Sequence, residues 1–234
     1  MLILTPPSEG KSYQNTVNKK FVETNYIFKE QVKEIVSILN KLDEKKIISI
    51  YGTTLDKARE LHKNNLNIFD KECSMAIERY TGVVFKNIDW NSLDLISRNY
   101  LNKNLRILSG LFGILKPDTL IPDYKLKMNV LSLSDFWKND ISNQLKNEEL
   151  ILDLLPVIHR KALNAGKNIV RINFIINRSG KLTQSAHSGK VVKGKFIRFL
   201  AQNNIYDIKG IEDFEYDGYK WNGEFFVKDM LKDN

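Results

Sequence analysis

The sequence predicts a mixed α/β (α+β) fold, a single domain over residues 1–234 with a central mixed sheet flanked by helices. Three observations predict it. Met1–Leu4, Leu105–Leu108 and Ile151–Leu155 are short apolar runs of strand length with no helical period, as buried strands require. Between them lie segments with apolar residues three and four apart, the spacing of helices that bury one face. No repeat, low-complexity stretch or linker divides the chain, and 234 residues suffice for one large core.

Taken in order, the Met1–Leu4 strand runs into Thr5-Pro6-Pro7-Ser8-Glu9-Gly10-Lys11-Ser12. This is a near miss to a phosphate-binding P-loop: Gly-Lys-Ser closes it, but Thr5 stands where the opening glycine belongs and two prolines remove N–H donors. What survives is a strand-end loop presenting Ser8 and Lys11. Asn25–Leu42 is an amphipathic helix through Phe28, Val32, Ile35, Val36, Leu39 and Leu42. Lys46–Tyr51 and Thr54–Leu61 read as two helical pieces split at Gly52, and Glu72–Tyr80 as a further helix burying Cys73, Ala76, Ile77 and Tyr80. Arg79–Phe85 reads as a helix end, a glycine stop and a short strand or turn, and Ser92–Leu101 as a helix with Leu93, Ile96, Tyr100 and Leu101 inward. Past the centre, Leu133–Leu145 and Pro156–Leu163 are predicted helices, the second started by its proline. Ile169–Asn177 and Lys181–Ala186 form a predicted hairpin across Arg178-Ser179-Gly180, and Asn222-Gly223 marks another in Phe214–Val227.

Thirty-six Lys and Arg against 28 Asp and Glu give a formal charge of +8 and a pI near 9.3. That balance favours anionic partners. The lone Cys73 excludes an intrachain disulfide and a cysteine-rich zinc site, and reads as a core thiol. No apolar run reaches the roughly 18 residues of a membrane span, and a cytoplasmic location without membrane association is expected. His62, His159 and His187 stand alone with no metal-ligand spacing, and no GxSxG elbow activates a serine. No catalytic constellation is recognisable, and no cofactor is expected. His159 reads as a surface or hydrogen-bonded structural residue, and Asp153 as a buried acid at a strand end.

The chain is organised around Leu105–Met128, LRILSGLFGILKPDTLIPDYKLKM. Its strand stops at Ser109-Gly110, and Leu111, Phe112, Ile114 and Leu115 suggest a helical turn before Lys116-Pro117. A strand entering a helix through a small-residue turn leaves N–H groups unpaired, a natural anion seat, although the same residues suit a buried corner with solvated lysines. Lys125 and Lys127, two residues apart, share a face opposite Leu126 and Met128. Late in the chain, Lys190–Gln202 is a helix bearing Lys190, Lys193, Lys195 and Arg198 with no acid, and Gly194 inside it invites a close approach. Three strand ends (Leu4, Leu108, Ala186) thus lead into turns with cations, and would build a basic cleft if they share one sheet edge. Tyr13, Phe112 and Tyr124 are candidates to line it.

The central segment resembles the signature of the YaaA family of bacterial peroxide-stress proteins, through Arg106, Ser109, Gly110, Gly113, Pro117, Tyr124, Lys125 and Met128. The N-terminal strand with its lysine loop and the Lys190-Val-Val-Lys193-Gly194 element are similar too, so the resemblance spans nearly the whole chain. Lys116 and Lys193 fall where the family often carries arginine. The chain departs from the family in its longer Pro7–Lys11 loop and in a shortened stretch before Ile169. The resemblance implies a compact mixed α/β domain, a positive cleft for duplex DNA with a helix–hairpin–helix-like element, and protection of DNA during peroxide stress linked to lower free iron. The glycines of Gly110-Leu111-Phe112-Gly113 are three apart, whereas that element has them two apart, and no iron ligand set is visible.

The reading is therefore a sequence-nonspecific DNA-binding stress protein. Its phosphate-site residues are Lys11, Arg106, Ser109, Gly110, Gly113, Lys116, Tyr124, Lys125, Lys190, Lys193 and Arg198. Neutralising about six phosphates would give a log K against log salt slope of about −5. The alternative is an enzyme acting on a nucleotide or nucleobase, a small phosphorylated ligand, in the same cleft.

Overall fold

β1 (Leu2–Thr5) lies at the middle of a five-stranded sheet, and its side chains are all buried, which is why the run is apolar without alternation. The computed structural model describes residues 1–185 and 187–230. After β1 come β2 (Val17–Lys20), β3 (Glu72–Met75), β4 (Leu105–Ser109), β5 (Gly113–Leu115) and β6 (Leu120–Ile121). The later strands are β7 (Ile151–Asp153), β8 (Ile169–Arg171), β9 (Phe174–Arg178), β10 (Lys181–Gln184), β11 (Lys220–Trp221) and β12 (Phe226–Met230).

The central sheet has the order β5-β4-β1-β7-β8. β4, β1, β7 and β8 are parallel and β5 folds back antiparallel on β4, so the sheet is mixed. Parallel strands point their carboxyl ends to one side. Thr5, Ser109, Asp153 and Arg171 therefore end on one edge, the side on which open α/β sheets hold ligands. Two smaller sheets, β10-β9-β12-β11 and β2-β3-β6, complete the fold. The first buries Phe174, Phe196, Phe214 and Phe226 together, with the rings of Phe174 and Phe226 stacked 5.2 Å apart. No helix among the described residues is long and apolar enough to cross a membrane.

The Lys29–Asn40 helix buries Val32, Ile35 and Leu39 as its periodicity predicts, and the helices Glu44–Tyr51 and Leu55–Leu66 flank Gly52. Cys73 is buried and its thiol is pushed up to about 11, chiefly by desolvation, as befits a core thiol. The Asn222-Gly223 hairpin joins β11 to β12.

Several elements differ from the sequence reading. Glu72–Met75 is a strand held between β2 and β6, and only Ala76–Arg79 is helical. Val83–Ile88 is a helix rather than a strand or turn. Ile96 is solvent-exposed on the Leu95–Asn104 helix, because Ser97, Tyr100, Leu101 and Asn104 form the inward face. Leu133–Leu145 is broken at Trp137 into two short helices. Ile169–Asn177 divides between two sheets: β8 joins β7, and only β9 pairs with β10.

The largest difference lies in the central segment. Leu111–Leu115 is no helix: Gly113 has φ +67°, and the chain reverses there into β5, so Ser109–Gly113 closes a β-hairpin. Gly110–Gly113 consequently joins two strands, not the two helices of a helix–hairpin–helix element.

Candidate anion-binding site at the carboxyl edge of the central sheet

The loop leaving β1 is pinned to the start of the Val83–Ile88 helix. Ser12 N donates to Arg79 O (2.8 Å), Thr81 N to Gly10 O (3.1 Å) and Gly82 N to Ser8 Oγ (3.0 Å). Lys11, bridged to Tyr80, is thereby directed over the aromatic rings beneath: its Nζ stands 4.3 Å from the Tyr124 ring centroid and 5.7 Å from that of Tyr80. Below it runs a hydroxyl chain, with the Tyr124 hydroxyl 2.7 Å from both the Tyr80 hydroxyl and Ser109 Oγ. Burial pushes the Tyr124 phenol up to about 12 and that of Tyr80 well above its ordinary value, so the chain is neutral at neutral pH.

The segment Asp123–Asn129 passes alongside. Tyr124, Leu126 and Met128 turn into the core, which leaves Lys125 and Lys127 on the opposite side as the alternation predicts. Both lysines meet one carboxylate: Lys125 Nζ is 2.5 Å and Lys127 Nζ 3.2 Å from Glu9. The hydrogen bond from Lys125 is the chief reason that the Glu9 carboxyl sits below its ordinary value. Ser8, Glu9, Lys11, Lys125, Lys127 and His159 line a cavity of about 240 Å³. Three cations and one acid at its wall make it suited to an anion. Desolvation lowers Lys11 to about 8, opposed by Asp123 and Glu9.

His159, on the Val157–Arg160 helix, is half-buried, and its Nδ1 has no hydrogen-bond partner among the described residues, unlike the surface or hydrogen-bonded histidine expected. Desolvation holds it down at about 4, so it is uncharged at neutral pH. At the end of β7, buried Asp153 accepts from Leu155 N (2.8 Å) and forms an ion pair with Arg160. Arg160 is the partner that sequence reading did not find.

The eleven predicted site residues divide into groups. Lys11, Tyr124 and Lys125 come together at the cavity. Ser109 and Gly110 lie beneath it and are fully buried, and Ser109 Oγ accepts from the N–H groups of Leu111 (3.2 Å) and Phe112 (3.1 Å). Those two N–H groups are therefore spent on Ser109 rather than offered to a ligand, contrary to the anion-seat reading. A Cβ at Gly110 would lie 2.8 Å from Leu126 O, so glycine there lets the Lys125–Lys127 segment cross close overhead. Gly113 packs against the Trp137 ring.

Arg106 and Lys116 line a separate cavity of about 320 Å³ with Lys19 and Tyr26. The Arg106 guanidinium also donates to Leu105 O at 2.9 Å. Lys193 and Arg198 serve the framework. Lys193 Nζ donates to Leu154 O at 2.7 Å, and Arg198 binds Ile88 O (2.9 Å), Asp89 O (3.0 Å) and Ser92 Oγ (2.9 Å), closing the end of the Val83–Ile88 helix. Gly194 brings the same two helices together, since a Cβ there would lie 2.4 Å from Val84 O. Lys190 is exposed near Lys193, whose charge desolvation disfavours. Phe112 is core and Tyr13 is exposed, bonded to Asp123, so neither lines the cavity. Of the three strand ends, those of Leu4 and Leu108 do share an edge; Ala186 and the side chain of His187 lie outside the described residues, and β10 belongs to another sheet.

Sequence reasoning left out Lys127, Glu9 and His159. Lys127 was signalled by its spacing from Lys125, and Glu9 by its place beside Lys11. Nothing local marks His159.

Fold and site together define a mixed α/β protein with a lysine-walled cavity at the carboxyl edge of the parallel strands of a mixed sheet. Comparison with known proteins makes the relationship specific. The family model described as peroxide stress protein YaaA matches residues 1–225, and the chain belongs to that family. Among curated relatives it is similar to a UPF0246 protein of Flavobacterium psychrophilum, at 30% identity with 94% of each chain covered. UPF0246 proteins of Finegoldia magna (30% identity, 88% of this chain and 91% of the relative) and Rickettsia bellii (30%, 86% and 87%) are similar likewise.

Proposed function

We propose that this peroxide stress family member binds duplex DNA without sequence preference, its phosphates crossing the cavity mouth on Lys125 and Lys127. The observation that supports this is the gathering of Lys11 from one segment and of Lys125 and Lys127, which hold Glu9, from another at one cavity on the carboxyl edge of the sheet. Sequence-independent affinity for DNA arises in just this way, from cations that replace condensed counterions. Exposed Lys190 is a further contact. The cellular role that follows is shielding of DNA from iron-dependent oxidation during peroxide stress.

With Lys193 and Arg198 bonded internally and Arg106 and Lys116 at another cavity, about three phosphates are neutralised, and the slope of log K against log salt becomes about −3. Titration of a labelled duplex between low and moderate salt measures it. A slope near zero would remove the proposal.

The cavity volume of about 240 Å³ favours a second reading. No duplex enters such a space, whereas a small phosphorylated ligand does. A nucleoside phosphate that displaces the duplex at micromolar concentration would favour this second ligand.

A further inference from the structure

Lys11 is unlike the other cations of the cavity. Lys125 and Lys127 each hold Glu9, but Lys11 has no carboxylate within ion-pair distance among the described residues. Among the described residues the one hydrogen bond of its amine is a long one to Ser8 O at 3.5 Å. The other acid in its surroundings, Asp123, accepts from Asn64 (3.0 Å) and Tyr13 (3.3 Å). The backbone of Lys11 is fixed by its bridge to Tyr80, and the amine is presented over aromatic faces at the wall of a cavity large enough for a small ligand. A desolvated lysine beside other cations is the arrangement that turns an amine into a nucleophile.

We propose that Lys11 Nζ forms an imine with an aldehyde carried on a phosphate ester, with the phosphate resting on Lys125 and Lys127. The amine lone pair attacks the carbonyl carbon and a C–N bond forms. The carbonyl oxygen then leaves as water, carrying away the two protons that nitrogen gives up, and no oxidant or reductant takes part. With its acidity near 8, about one Lys11 in ten is a free amine at pH 7, against fewer than about one in a thousand for an ordinary lysine. The inference rests on the phosphate-binding reading of this cavity. Aldehydes of this class have two sources: free sugar phosphates, and the ring-opened deoxyribose of an abasic site in DNA.

The test is reductive trapping of the full chain with borohydride in two arms, a duplex containing one abasic site and free glyceraldehyde 3-phosphate. Peptide mass mapping then locates the secondary amine. The expected result, in either arm, is an adduct on Lys11 at least tenfold above any other lysine, and the arm that yields it names the source. Adducts spread over surface lysines, or none, overturn the proposal. Lys11→Arg keeps the charge and abolishes trapping; should that variant fail to fold, the map of the unaltered chain still decides. Binding to a duplex with a tetrahydrofuran analogue, which has no aldehyde, is measured alongside. Binding without trapping in either arm removes the imine and leaves the phosphate reading. Absence of binding removes DNA as the ligand, while the glyceraldehyde 3-phosphate arm still decides the imine.

Discussion

Lys125 and Lys127 at the cavity and Lys193 and Arg198 on the His187–Gln202 helix carry the same charge in runs that look equally basic, yet they do different work. The first pair sits at the cavity wall and shares one exposed acid, so its charge faces the cavity and is held there by a carboxylate rather than by the framework. The second pair is bonded to backbone carbonyls of Leu154, Ile88 and Asp89, where each side chain satisfies acceptors that a helix end or strand end leaves open. What separates them is the acceptor that the fold provides within reach. A basic run is therefore a statement about solubility and about caps as much as about ligands.

The comparison breaks most visibly on the framework side. Asp153→Ala removes the partner of Arg160 at a buried strand end and is expected to lower unfolding stability by about 3–5 kcal/mol, measured by urea denaturation. Arg198→Ala loses its bonds to the Val83–Ile88 helix end and costs about 1–3 kcal/mol, while the salt slope of DNA binding stays unchanged. A slope that falls with Arg198→Ala would move that residue back to the ligand side. Lys125→Ala, by contrast, shifts stability by less than about 0.5 kcal/mol and flattens the slope by about one.

A separate effect, comparable in size to the loss at Arg198, is a pH dependence. The unfolded chain holds the Lys11 proton up to about 10.5, whereas the native chain releases it near 8 because burial disfavours the charge. Between those values unfolding takes up a proton, so rising pH favours the native state through this group. Denaturation of the unaltered chain and Lys11→Met across pH 7–10 should show that gain in the former alone. The faces toward Lys11 also carry Asp123, Glu9, Lys125 and Arg79, all unchanged in the pair.

The buried strands were legible because burial on both faces writes a near-continuous apolar run, as at Leu2-Ile3-Leu4 and at Leu105–Leu108, where only half-buried Arg106 is polar. The cavity was legible in part. The Lys125/Lys127 alternation marked one wall, and the Gly-Lys-Ser ending marked the Lys11 loop. Leu111–Leu115 misled because four apolar residues about a glycine carry no period, and the decision fell to one left-handed backbone at Gly113. Lys193 and Arg198 misled for another reason: their acceptors lie 39 and about 110 residues away, where no local pattern reaches.

Glu9 gives the site one further property. Its carboxylate already occupies the place between Lys125 and Lys127 that an incoming anion would claim, so the resting protein carries its own competitor. For a ligand of the proposed kind, affinity would be a contest between a tethered acid and a free one: weak ligands lose it, and a stronger one frees the Glu9 side chain while Ser8 Oγ still holds Gly82 N.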